Sequence, residues 1–100
     1  MTKAILQRLA AAGFQILPAL EITTHYVLER DGIVALVERI HDGFGGMGSP
    51  GLLTEKGFAA LVRSAEGAFF VAKGYREPAS EQQIRKVRAF SEDLGRALSG

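Results

Sequence analysis

Residues 21–40 read EITTHYVLERDGIVALVERI, two β-branched and aromatic runs joined by Asp31-Gly32. An Asp-Gly pair in that setting marks a two-residue hairpin turn, because both turn positions need a positive φ, which glycine adopts freely and aspartate tolerates. With these two residues as the loop, Arg30 faces Ile33, and counting outward sets Leu28 against Ala35, Val27 against Leu36, Tyr26 against Val37 and His25 against Glu38. Side chains alternate across a strand, so IVALV at 33–37 puts apolar groups on both faces of the sheet. Both faces then need cover. Helices can supply one, and the other calls for a further layer or a second subunit, which is the main indication of self-association.

On the N-terminal side, MTKAILQRLAAAG predicts a short helix: Thr2 can cap it, Ile5, Leu6, Leu9 and Ala12 share a face, and Gly13 suits a left-handed stop. FQILPAL, 14–20, is apolar and β-prone, but Pro18 cannot donate to a ladder, so an edge strand or an irregular lead-in is expected. On the C-terminal side, HDGFGGMGSPG, 41–51, reads as a flexible glycine-rich connection. TEKGFAALVRSAEG, 54–67, fits two patterns. Phe58, Leu61, Val62 and Ala65 form a helical stripe with Thr54 as cap and Gly67 as stop, whereas EKG and AEG resemble hairpin turns that end in a glycine bulge. The helix has more of the marks and is the expectation. AFFVAKGY, 68–75, predicts a strand, with REPA leading out of it. SEQQIRKVRAFSEDLGRAL, 80–98, predicts a helix. It opens with a Ser80 to Gln83 capping box and carries Ile84, Val87, Phe90, Leu94 and Leu98 along one side, with Glu81–Arg85 and Glu92–Arg96 as acid-first pairs. No linker or internal repeat divides residues 1–100. The expectation is therefore one α+β domain, an antiparallel sheet around the central hairpin, packed by an N-terminal helix and a longer C-terminal one.

One hundred residues, 47% hydrophobic and 23% charged, suffice for one core without staples. A net charge of +1 supplies no long-range field for nucleic acid or anionic membrane. The most basic stretch, with Lys73, Arg76, Arg85, Lys86 and Arg88, is interspersed with Glu77 and Glu81, as on a solvated helix face. Cysteine is absent, which removes disulfides and thiolate chemistry and makes the cytoplasm the expected compartment. The uncharged run from Leu9 to Leu20, which no other exceeds, is too short for a membrane span. Lys3 and Arg8 without an acid in the first twenty residues faintly suggest a transit segment, but serine is missing there and a core-docking helix is expected.

Within the connection, GFGGMG at 43–48 fits the spacing G-x-G-x-x-G. A dinucleotide cradle needs those glycines to open a helix, yet SPGLL follows and Pro50 and Gly51 interrupt any helix start. VAK at 71–73 imitates a kinase lysine segment, but neither HRD nor DFG occurs. Phe44 and Met47 are expected either to anchor the loop on its own core or to contact a partner. His41 is expected across from Ile22, on the face of Thr24, Tyr26 and Arg39, while His25 lies on the opposite face beside Glu38, so a shared metal site is not expected. Ser49, Thr23, Thr24 and Ser64 lack a G-x-S-x-G context. These readings point to a small non-enzymatic module that self-associates or binds another protein, with no cofactor. The alternative is a small-ligand or enzymatic site with 42–51 as lid or cradle, where His41, Asp42, Gly45, Gly46, Ser49, Tyr26 and Lys73 would make the contacts.

Overall fold

Asp31 has φ 55° and Gly32 φ 84°, the left-handed values that a tight two-residue turn requires. The strands they join pair in the anticipated register, from Arg30↔Ile33 out to His25↔Glu38. In the computed structural model, which describes residues 2–18, 23–41, 43–54 and 57–99, the elements are α1 (Thr2–Ala11), β1 (Gln15–Leu17), β2 (His25–Arg30), β3 (Ile33–Ile40), β4 (Gly43–Met47), β5 (Gly51–Thr54), β6 (Gly57–Ser64), β7 (Gly67–Ala72), β8 (Tyr75–Pro78) and α2 (Glu81–Ser99). The sheet is an antiparallel meander in the order β1-β2-β3-β5-β6-β7-β8, with β4 also paired to β3. β3 serves two partners along one edge: Ile33 and Val34 meet Leu52 and Gly51, while Val37, Arg39 and Ile40 meet Met47, Phe44 and Gly43, with a bulge between.

Three expectations change. The 41–51 connection is largely a strand, because the backbone of 43–47 ladders onto the far half of β3. The helix expected after Thr54 is instead β6. Gly57 and Gly67 take φ 104° and 130°, Thr54 pairs with Gly57 and Ser64 with Gly67, and β5 and β7 supply backbone partners on both sides. Tertiary pairing overrides a helical stripe whose residues also suit a sheet. Gly74, at φ 74°, turns the chain after Ala72, so residues 75–78 return as β8 rather than leading out.

Directly paired residues share a face. Tyr26, Leu28, Ile33, Ala35, Val37, Leu52, Ala59 and Phe70 therefore line one side, and both helices pack there: Leu9 of α1 and Val87, Phe90, Leu94 and Ala97 of α2 join that core. The last four are spaced by three and four residues, one stripe of an α-helix. Burying each large apolar side chain of the set stabilises the fold by about 1.5–3 kcal/mol. The capping box is present. Gln83 N–H donates to Ser80 Oγ at 3.1 Å, and Ser80 N–H donates to Gln83 Oε1 at 2.8 Å. Arg96 pairs with Asp93 rather than with Glu92. α1 ends in a Schellman motif, in which Phe14 N–H donates to Leu9 O at 2.9 Å and Gly13 N–H to Ala10 O at 3.1 Å, with Gly13 at φ 88°.

Arg30, at the neck of the hairpin, ties the layers together. Its Nη1 donates to Ala12 O at 3.1 Å, a carbonyl that α1 leaves open, and to Asp93 Oδ2 of α2 at 2.9 Å. The guanidinium carbon lies 4.6 Å from the Phe14 ring centroid, and that ring meets Phe90 edge-on at 5.1 Å. Hydrogen bonds from Arg30 and then Arg96 hold the Asp93 carboxyl below its ordinary pKa against a smaller opposing effect of burial.

Two stability predictions follow from this packing. A Cβ on Gly51 would collide with the Ala59 carbonyl oxygen and lie 2.8 Å from Ala60 Cα, whereas one on Gly46 meets nothing within 4 Å. Gly51→Ala should cost about 1–3 kcal/mol or more in urea unfolding, and Gly46→Ala should stay within about 0.5 kcal/mol of wild type. A carboxyl whose pKa is depressed on folding contributes stability above its unfolded pKa and loses that contribution as pH falls through the folded one. Wild type should lose stability from about pH 4 downward, and Asp93→Asn, weaker at neutral pH, should decline less steeply over that window. Parallel acid limbs would refute the role given to Asp93.

Candidate functional site

The residues singled out in the sequence fall into two groups at opposite ends of the sheet. At one end, Tyr26 of β2, Arg39 of β3 and Phe44 of β4 stack on the helix-bearing face. The Tyr26 and Phe44 ring centroids are 4.8 Å apart, and the Arg39 guanidinium carbon is 4.4 Å from the Tyr26 centroid. Phe44 and Met47 are half-buried against the core, as a loop anchoring itself would place them. His41 is exposed in the turn between β3 and β4, while Asp42 and Ile22, its expected cross-strand neighbour, lie outside the described residues. Gly46 and Ser49 are exposed, the latter in the break between β4 and β5. Gly45 lies beneath Glu38 and Ile40: a Cβ there would collide with Glu38 Oε1 and come within 3.1 Å of Ile40 Cγ2.

Lys73 is not part of this group. It follows Ala72 in the β7–β8 turn, level with Ile33 at the other end of β3. Seven steps of about 3.3 Å along β3 and three strand spacings of about 4.8 Å separate it from His41 by more than roughly 20 Å. His25 stands on the face away from the helices as the Cα partner of Glu38, with Thr24 Oγ1 at 2.8 Å from its Nδ1. Among the described residues no group of three or more His, Asp or Glu side chains converges on one point.

Two clefts lie away from these residues. One of about 350 Å³ runs between the helices, lined by Arg8, Ala11, Ala12, Asp93, Arg96 and Ala97. Its charges are already engaged, since Arg8 Nε donates to Ala97 O at 2.9 Å and Arg96 pairs with Asp93. Another, of about 140 Å³, sits under the Asp31-Gly32 turn beside Gln83 and Lys86. Neither is lined by the candidate ligand contacts Tyr26, His41, Gly45, Gly46, Ser49 or Lys73.

The face away from the helices has two unlike halves. Around the hairpin turn it is closed, with Val27 8% and Val34 2% exposed, whereas Glu38 and Ile40 at the far end of β3 are exposed. Over β5, β6 and β7 it is open. Leu53 is 60%, Val62 47% and Val71 36% exposed, with Phe58, Ala60 and Phe69 half-buried among them. Arg76 of β8 covers one flank, its guanidinium carbon 4.0 Å from the Phe69 centroid and its Nη2 3.5 Å from Glu66 Oε2. The patch is hidden in the sequence because a helix over 54–66 puts Phe58, Leu61 and Val62 on one side. The alternation Phe58, Ala60, Val62 was the available signal.

No described helix is long and apolar enough to cross a membrane. Comparison of the chain with protein-family models, curated proteins and solved structures finds no match in any of the three, so the reading of this surface rests on its own chemistry.

Proposed function

We propose that this chain is a non-enzymatic interaction module of the cytoplasm that associates with a second copy of itself through the open face of β5–β7. The observation that carries the reading is the row of apolar side chains there, with no charge among the six and no helix above them. A sheet face left without a layer is completed when another sheet packs on it at about 10 Å. A second copy brings the same uncharged patch, and a two-fold contact closes without leaving a further sticky surface. The ligand-site alternative is not favoured, because a lid needs freedom that a strand hydrogen-bonded to β3 lacks.

Sedimentation velocity over a concentration series tests the proposal. Wild type should sediment at twice the chain mass of 10.7 kDa, and Val62→Lys or Leu53→Lys should sediment as a monomer with an unchanged circular dichroism spectrum. A wild type that stays monomeric at the highest attainable concentration ends the proposal.

A further inference from the structure

The sheet has three free edges among the described residues, and they are not alike. β1 is three residues long and is followed by Pro18, while β8 carries Arg76, Glu77 and Pro78. Short length, charge and proline are the usual means of discouraging another strand from adding to an edge. β4, GFGGM, has neither charge nor proline, and no described strand runs along its side away from β3.

The polar groups on that side can be assigned. In an antiparallel pair, successive residues point their backbone groups alternately toward and away from the partner. Arg39 N–H donates to Thr24 O at 2.8 Å, away from β4, so its partner Phe44 turns its own N–H and C=O to the free edge. Gly48 N–H donates to Leu36 O at 2.8 Å, so Met47, one residue earlier and paired with Val37, also faces outward. On the face away from the helices, the Glu38 side chain reaches across Gly45, the place a Cβ would fill. Glu38 is exposed and has no hydrogen bond or ion pair among the described residues. The bare edge therefore comes with an unpaired carboxylate lying over it.

We propose that the free edge of β4 accepts an extended peptide segment bearing a lysine or arginine. Its backbone bonds the outward N–H and C=O groups of Phe44 and Met47, as in β-strand addition. A residue opposite Gly45 sits about 4.8 Å away with its side chain on the same face, so its cation meets the Glu38 carboxylate across the bare glycine. Gly45 is required because a side chain there would displace that carboxylate. An acidic segment is repelled at the same point, so charge selects the occupant. This edge lies apart from the β5–β7 face, and the two proposals stand or fall separately.

The full chain, labelled with ¹⁵N, is titrated with the blocked heptapeptide Thr-Thr-Val-Lys-Val-Thr-Thr and with its counterpart carrying Glu in place of Lys. The lysine peptide should shift the amide signals of Phe44, Gly45, Gly46 and Met47, and the glutamate peptide should bind about tenfold more weakly. In Glu38→Lys the preference should reverse, and in Glu38→Gln, which keeps the shape of the side chain, it should vanish. Absence of shifts with either peptide, equal affinity of wild type for both, or shifts centred on β1 or β8 would overturn the proposal.

Discussion

Asp31 and Gly32 hold left-handed backbone, and the register of β2 against β3 is set by the reversal they make. A slip of one residue there would put Leu28 on the face opposite Ile33, Ala35 and Val37 and bring its neighbours Val27 and Glu29 beneath the helices in its place. The turn also delivers Arg30 to its position. The paired residue just before a two-residue reversal has little freedom, and the guanidinium of Arg30 meets Ala12 O at the end of α1 and Asp93 on α2. Helix placement is thus coupled to hairpin geometry through one side chain that satisfies an open carbonyl, an acid and two aromatic rings.

With both helices drawn to one face, the sheet is left two-layered and asymmetric. The face away from the helices is closed around Val27 and Val34 and open over β5–β7, so the broad apolar surface does not lie on the strand richest in apolar residues. Aromatic and β-branched side chains on β6 and β7 face both ways, and only one side meets the helices. Tyr26 and His41, near the β3–β4 turn, do not converge with Lys73 at the far end.

One glycine of the G-x-G-x-x-G spacing has a packing reason in this fold. Gly45 leaves room for Glu38, and Gly51, just beyond the spacing, lets β5 approach the backbone of Ala59 and Ala60. A phosphate cradle needs successive N–H groups turned toward one point. In β4 they are divided between the β3 ladder and the free edge, so the letter pattern is present without the backbone geometry that would give it an anion.

Residues whose own dihedral preferences or near neighbours settle their structure were legible before any fold was known. The hairpin at 31–32, the stop at Gly13, the Ser80–Gln83 box and the α2 stripe are of this kind, since each rests on contacts within a few residues. For Phe44 and Met47 the sequence left anchoring on the core beside contact with a partner, and both side chains pack half-buried against the core. Residues 57–64 were not legible, because Phe58, Leu61 and Val62 satisfy a helical stripe and a pleated face alike, and the strand formed where β5 and β7 offered hydrogen bonds from both sides. Residues 43–47 were not either, for glycine carries no side-chain periodicity to read. The local turns and caps were determined by the sequence itself. Strand pairing, the open half-face and the bare edge were decided by tertiary structure, because they depend on backbone groups that every residue possesses and on which distant strand arrives to bond them.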